Sequence, residues 1–204
     1  MIFPGILFIP GKMKRRKPMS QSILVTGGAS SGKSRFAVTH FAPYDYVLYL
    51  KIGKEPSPEL LRRIKFDNEK FGVSWDILTR DEGVDENFVL PGLVGDHKFV
   101  ILDSVSSFTA KVISGMVKSE EELTHDKMTE IERRITDEIF ALRDKVQENR
   151  GAIILTTLET GFSVKPDNKG VAAYREILGK VNQRIANTSD AVYFSASGIQ
   201  FQIR

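Results

Sequence analysis

Apolar positions along the chain follow two alternating rhythms. The runs at 23–26, 46–50, 99–102, 152–156 and 191–194 are short, almost continuously apolar and rich in β-branched residues, as expected of strands buried on both faces. Between them Met128, Ile131, Ile135, Ile139, Leu142 and Val146 recur at steps of three and four. That spacing gives one apolar stripe on a helix, which Asn149-Arg150-Gly151 ends. Val171, Tyr174, Leu178, Val181 and Ile185 form a second stripe. Strands alternating with amphipathic helices predict an α/β fold whose mostly parallel sheet is covered on both faces. The last run, Ile199-Gln200-Phe201-Gln202-Ile203, alternates apolar and polar residues and predicts an antiparallel edge strand with one wet face. Residues 81–98 are punctuated by Asp81-Glu82-Gly83 and Pro91-Gly92 and yield no assignable element. No internal repeat interrupts the pattern.

Composition narrows the picture. A chain of 204 residues with 41% hydrophobic content can bury one substantial core, and residues 20–204 are expected to form a single domain. The formal charge of +3 is misleading, because Lys12, Lys14, Arg15, Arg16 and Lys17 together exceed it. The remaining body is net acidic, which argues against nucleic acid as a partner. Residues 1–10 are apolar, but Pro4 and Pro10 break them and the charges follow rather than precede. They make a poor signal peptide and are too short for a membrane span. Residues 1–19 are therefore expected to be a basic, disordered extension, with Met13 and Met19 as alternative starts. Cysteine is absent, which excludes disulfides and thiolate catalysis and fits a cytoplasmic setting. His40, His97 and His125 have no metal-ligand spacing.

The chemistry begins at the end of the first strand. Gly27-Gly28-Ala29-Ser30-Ser31-Gly32-Lys33-Ser34 fits G-x-x-x-x-G-K-[ST], a phosphate-binding P-loop. Glycines let successive backbone N–H groups turn toward phosphate oxygens, and the following helix adds its positive end. Lys33 would reach the β- and γ-phosphates, and the Ser34 hydroxyl would hold Mg²⁺. The competing reading, a Gly/Ser-rich hairpin turn, is disfavoured by the apolar strand before the motif and the helical run after it. Phe99-Val100-Ile101-Leu102-Asp103 is an apolar strand ending in an acid. Asp103 either positions Mg²⁺ opposite Ser34 or caps the next helix. Glu159 follows the strand at 152–156 and is either a base for an accepting hydroxyl or an exposed loop acid.

The same residues carry a resemblance. Residues 23–35 resemble the opening of the adenosylcobinamide kinase/adenosylcobinamide-phosphate guanylyltransferases, bifunctional enzymes of cobalamin synthesis and salvage. Tyr49-Leu50, Glu59, Arg63-Ile64 and Trp75 keep the family spacing. Glu159-Thr160-Gly161 is similar to its Glu-Val-Gly, and Pro166-Asp167-Asn168 to its Pro-Glu-Asn. Gly179-Lys180-Val181-Asn182-Gln183-Arg184, followed by Asp190-Ala191-Val192, is the most specific match. The resemblance implies a RecA-like P-loop NTPase fold and a homotrimer. It also implies transfer of the γ-phosphoryl group of ATP or GTP to the aminopropanol hydroxyl of adenosylcobinamide, a small corrinoid substrate. In the family, GMP is then attached to that phosphate through a guanylylated histidine.

The second step is where the chain departs from the family. The histidine position, four residues after Arg63, is Asp67; Ile52 stands where the family has Thr, and Thr79 where it has Glu. A carboxylate facing an α-phosphate starts from repulsion that a neutral imidazole avoids. The expectation is a kinase with Lys33, Asp103 and Glu159 as its catalytic residues and the guanylyl step lost. The alternatives are a nucleotide-binding protein that no longer transfers phosphate, or a RecA-like motor on DNA, which the acidic body disfavours.

Overall fold

The computed structural model describes residues 21–84, 88–162, 164 and 166–204; the expected extension at 1–19 lies outside them. In chain order the elements are β1 (Gln21–Gly27), α1 (Lys33–Phe41), β2 (Val47–Ile52), α2 (Pro58–Phe71), β3 (Trp75–Arg80), β4 (Phe99–Asp103), α3 (Val105–Met116), α4 (His125–Glu148), β5 (Ala152–Thr156), α5 (Lys169–Thr188), β6 (Ala191–Ala196) and β7 (Ile199–Gln202). The sheet order is β3-β2-β4-β5-β1-β6-β7. Every pairing is parallel except β6 with β7. The α/β class, the parallel sheet and the antiparallel last strand are as the sequence predicts. β5 stands between β1, which leads into the P-loop, and β4, which ends in Asp103; this is the RecA-like arrangement.

Strand alternation divides the core into two layers. Ile23, Val25, Val47, Tyr49, Ile101 and Ile154 face α1 and α2. Leu24, Leu48, Leu50, Val100, Leu102, Ile153 and Leu155 face α3, α4 and α5. The predicted stripe on α4 is buried from its second member on, with Ile131, Ile135, Ile139, Leu142 and Val146 all at 0% exposure, while Met128, near the helix start, is half-buried. At about 1.5–3 kcal/mol for each buried side chain, it contributes on the order of 10 kcal/mol before entropy. Side chains of Thr124 and Asn168 cap α4 and α5 by accepting from Lys127 N (3.2 Å) and Val171 N (2.8 Å).

Three elements do not follow from the apolar pattern. β3 pairs with β2 alone and has a mostly open face, so Trp75-Asp76-Ile77-Leu78-Thr79-Arg80 carries no apolar run. α2 fully buries only Ile64 and Asp67 and is specified instead by its start: Ser57 accepts from Leu60 N at 3.2 Å ahead of Pro58. α3 is too apolar for a stripe to stand out. The predicted second strand begins one residue late, because Tyr46 has a left-handed backbone (φ 56°). Within 81–98 the structure adds a 3-10 turn at Leu90–Leu93; residues 85–87 lie outside the described set.

Candidate active site

The parallel strands bring the C-terminal ends of β1, β2, β4 and β5 to one edge of the sheet, where ligands collect in open α/β folds. The P-loop leaves β1 with Gly27 at φ 149° and reaches α1 through Gly32 at φ 98°. A side chain at Gly27 would bring its Cβ within 2.2 Å of the Ser195 carbonyl oxygen, so close passage against β6 requires glycine there. Ser195 Oγ donates to the Ser31 carbonyl at 2.6 Å, and Gly198 N donates to the same oxygen at 3.0 Å. Gln200 Nε2 donates to Ser195 Oγ at 3.1 Å. The β6–β7 hairpin thus braces the loop from behind, and its tight turn at Ser197 and Gly198 uses two positive φ angles.

Lys33 lies across the inside of the loop. Its Nζ donates to the Gly27 carbonyl (3.0 Å), the Gly28 carbonyl (2.6 Å) and Ser31 Oγ (3.4 Å). Burial pushes its pKa below the usual lysine value, and the nearby Asp103 charge partly offsets this. The ammonium therefore sits among the loop's own carbonyls and a hydroxyl, with only neutral partners within hydrogen-bonding reach.

Asp103 is the hub of the site. Its Oδ2 accepts from Ser34 Oγ (3.0 Å), from Lys51 Nζ (3.2 Å) and, in a short contact, from the Tyr49 hydroxyl; Oδ1 accepts from Thr156 Oγ1 (2.8 Å). Burial works to raise the Asp103 pKa. The Lys51 charge and the hydrogen bonds from Tyr49, Thr156 and Lys51 outweigh it, so the carboxyl is held below its ordinary range. The Tyr49 phenol is pushed up by burial and by the adjoining carboxylate. The helix-cap alternative for Asp103 is ruled out, since Ser104 caps α3 by accepting from Ser107 N at 3.1 Å. Ser34 and Asp103 offer a hydroxyl and a carboxylate oxygen in contact beside the loop. Such hard oxygen donors fit Mg²⁺, which keeps several waters and takes few protein ligands.

A cavity of about 1100 Å³ opens in front of these groups. Ser30, Ser31, Gly32, Lys33, Ser34 and Asp103 line it, with Lys51 beside them and Arg62, Arg63 and Phe66 across from them on α2. Glu159 is placed differently. Its backbone N donates to the Gly27 carbonyl at 3.1 Å, but its carboxylate accepts from Gly161 N at 2.9 Å. It lines a second cavity of about 890 Å³, walled by α5, with Leu24, Thr26, Arg175, Lys180 and Asn182. The structure thus gathers Lys33, Ser34 and Asp103 around one cavity and puts Glu159 at the next, across the Gly27 backbone.

The residues of the C-terminal match have supporting tasks. Asn182 Oδ1 accepts from Thr157 Oγ1 (2.8 Å), and its Nδ2 donates to the Leu158 carbonyl (2.9 Å), fixing the segment that leads to Glu159. Asp190 accepts from Ser22 N at 2.7 Å, tying the start of β1 to β6. At the departure, Asp67 is 1% exposed and its Oδ2 accepts from Arg63 Nε at 2.6 Å. It holds the arginine rather than facing the cavity. Ile52 is buried in the core, and Thr79 Oγ1 donates to Glu55 at 2.8 Å. Among the described residues no histidine lines the P-loop cavity.

Lys51, Thr156 and Ser195 escape the sequence reading, as does any role for Tyr49. Lys51 alone left a trace, as a charge near the end of an apolar strand on the ligand-facing side of the sheet.

The model of the cobinamide kinase / cobinamide phosphate guanyltransferase family matches residues 23–203. The bifunctional adenosylcobalamin biosynthesis protein CobU of Escherichia coli (strain K12) is 29% identical over 184 residues, which are 89% of this chain and 99% of that protein. The protein of the same name from Salmonella typhimurium (strain LT2) is 29% identical over 182 residues, with the same shares covered. Among solved structures, the flagellar accessory protein FlaH from Methanocaldococcus jannaschii aligns with a TM-score of 0.49 at 13% identity, covering 91% of this chain and 76% of that one. Among the described residues, no helix is long and apolar enough to cross a membrane.

Proposed function

The chain belongs to the cobinamide kinase / cobinamide phosphate guanyltransferase family, and from that membership we propose that it is a cytoplasmic kinase of cobalamin synthesis or salvage. Residues 20–204 act as one nucleotide-binding domain that transfers the γ-phosphoryl group of ATP or GTP to the aminopropanol hydroxyl of adenosylcobinamide or a related alcohol. The observation that carries this reading is the convergence of Ser34 and Lys51 on the buried Asp103 carboxylate beside a P-loop braced in shape.

In the proposed reaction the phosphates lie along the loop from Gly27 to Ser34. Lys33 exchanges its carbonyl partners for phosphate oxygens, and Arg62 and Arg63 face the phosphate chain from α2. Ser34 and Asp103 would hold Mg²⁺, which would neutralise charge on the transferring group. The acceptor alcohol enters from the second cavity, and Glu159, once its carboxylate leaves Gly161 N and turns toward the P-loop, takes the alcohol's proton as the oxygen bonds to the γ-phosphorus. The β–γ bridging oxygen leaves with the nucleoside diphosphate.

The guanylyl step is proposed to be absent, because Asp67 is buried against Arg63 and no described histidine lines the phosphate cavity. The homotrimer that the family resemblance implies is supported by exposed apolar residues around the last hairpin, Phe162, Ile199, Phe201 and Ile203. The deciding experiment is incubation with Mg-ATP or Mg-GTP and adenosylcobinamide, followed by chromatography. A phosphate ester is expected. Tight nucleotide binding without any ester would favour the non-catalytic alternative.

A further inference from the structure

Lys51 sits near the C-terminal end of β2, in register with Asp103 of β4. Its ammonium is 3.2 Å from Asp103 Oδ2, and its side chain, 20% exposed, lines the cavity that Lys33 and Ser34 also line. Oδ2 is crowded, since Ser34, Tyr49 and Lys51 all donate to it. A cation taking that oxygen must displace a donor. Tyr49 is fully buried in the core and Ser34 is fixed at the start of α1. Lys51, on a flexible four-carbon stem, is the donor free to swing.

A divalent ion would also repel the ammonium directly. Few acids wait for it in the cavity: Glu59 lies on α2, and Glu55 is exposed and already bonded to Thr79. The other ionic walls are Lys33, Arg35, Arg62 and Arg63. The anion that fills this cavity is therefore the natural destination of the displaced ammonium.

We infer that Lys51 is a second phosphate-binding cation of this site, paired here with Asp103 and transferred to the terminal phosphate when a metal-bound nucleoside triphosphate arrives. It makes the site selective for triphosphate over diphosphate. The inference rests on the reading of the P-loop cavity as a nucleotide site.

The test is equilibrium calorimetry on the full chain with ATP, ADP, GTP and GDP in the presence of Mg²⁺. Wild type is expected to bind the triphosphate more tightly than the diphosphate. Lys51→Met should reduce that preference roughly tenfold or more while leaving diphosphate affinity within about threefold, since one charge-assisted hydrogen bond to the last phosphate is lost. Lys51→Arg should keep most of the preference. Should the Met variant fail to fold, Lys51→Gln retains a donor to Asp103 and carries the same expected loss. An unchanged triphosphate-to-diphosphate ratio in a folded Met or Gln variant would overturn the inference alone. Failure of the wild type to bind any of the four nucleotides would overturn the cavity reading and this inference with it.

Discussion

Asp103→Asn separates charge from shape at the hub of the site. Thr156 Oγ1 can still donate to the amide oxygen kept in the Oδ1 position, at a distance now of 2.8 Å. The amide nitrogen then replaces Oδ2, facing Ser34, Tyr49 and Lys51. The two hydroxyls can rotate to accept from it, whereas the Lys51 ammonium cannot. The Lys51 bond is lost outright, worth about 1.5–3 kcal/mol, and the three hydroxyl bonds lose their charge assistance, so a protein of this size should melt lower by roughly 3–12 °C or more while staying folded. Phosphoryl transfer should fall about a hundredfold or more, because the proposed Mg²⁺ site would lose its charged ligand. Acid titration adds a signature. The wild-type carboxyl is held below its ordinary range, so its contribution is complete above about pH 4 and disappears as pH falls through the native pKa. The variant should lose that part of its acid sensitivity. Thermal melts at neutral and acid pH, combined with turnover, make the measurement. An Asn variant that is unfolded at neutral pH, or one with near-normal turnover, would refute the reasoning.

Lys33→Ala should lower turnover about a hundredfold or more and weaken triphosphate binding, both measurable by steady-state assay and calorimetry; near-normal turnover would remove the loop from the mechanism. Gly27→Ala should destabilise the protein by about 1–3 kcal/mol, because the new methyl group meets the Ser195 carbonyl; a chemical denaturation curve indistinguishable from wild type would contradict the bracing of the loop. Incubation with α-labelled GTP and Mg²⁺, then denaturing electrophoresis, should leave the protein unlabelled. Acid-labile label mapped to His40, His97 or His125 would show that a histidine still carries the guanylyl group.

The central strands and the two long helices were legible because burial on one or both faces writes itself into the sequence. β3 and α2 were not, because an edge strand and a helix with one buried aliphatic residue leave too weak a rhythm. Lys33, Ser34 and Asp103 were readable from local motifs, each a strand end followed by a helix start. Lys51, Thr156 and Ser195 were not, because their significance depends on which strands lie side by side. The register that sets Lys51 and Thr156 on either side of Asp103 cannot be inferred from strands that lie far apart in sequence. Glu159 marks the opposite case. Its place after β5 was readable, but the turn to Gly161 that aims its carboxylate away from the P-loop cavity was not.

The bracing of the P-loop by Ser195 and Gly198 also sets an order of events during synthesis. The loop is among the first parts of the described chain to leave the ribosome, yet the groups that hold the Ser31 carbonyl come more than 160 residues later. A nascent chain that has emerged only to the end of α5 has the phosphate-binding motif without its support. Contacts this distant in sequence form late, since the intervening chain must first be ordered. Nucleotide should therefore be unable to template early folding of its own site, and should instead lock a fold that is already complete. Stalled chains lacking β6 and β7 would carry the full motif and still be poor at retaining nucleotide.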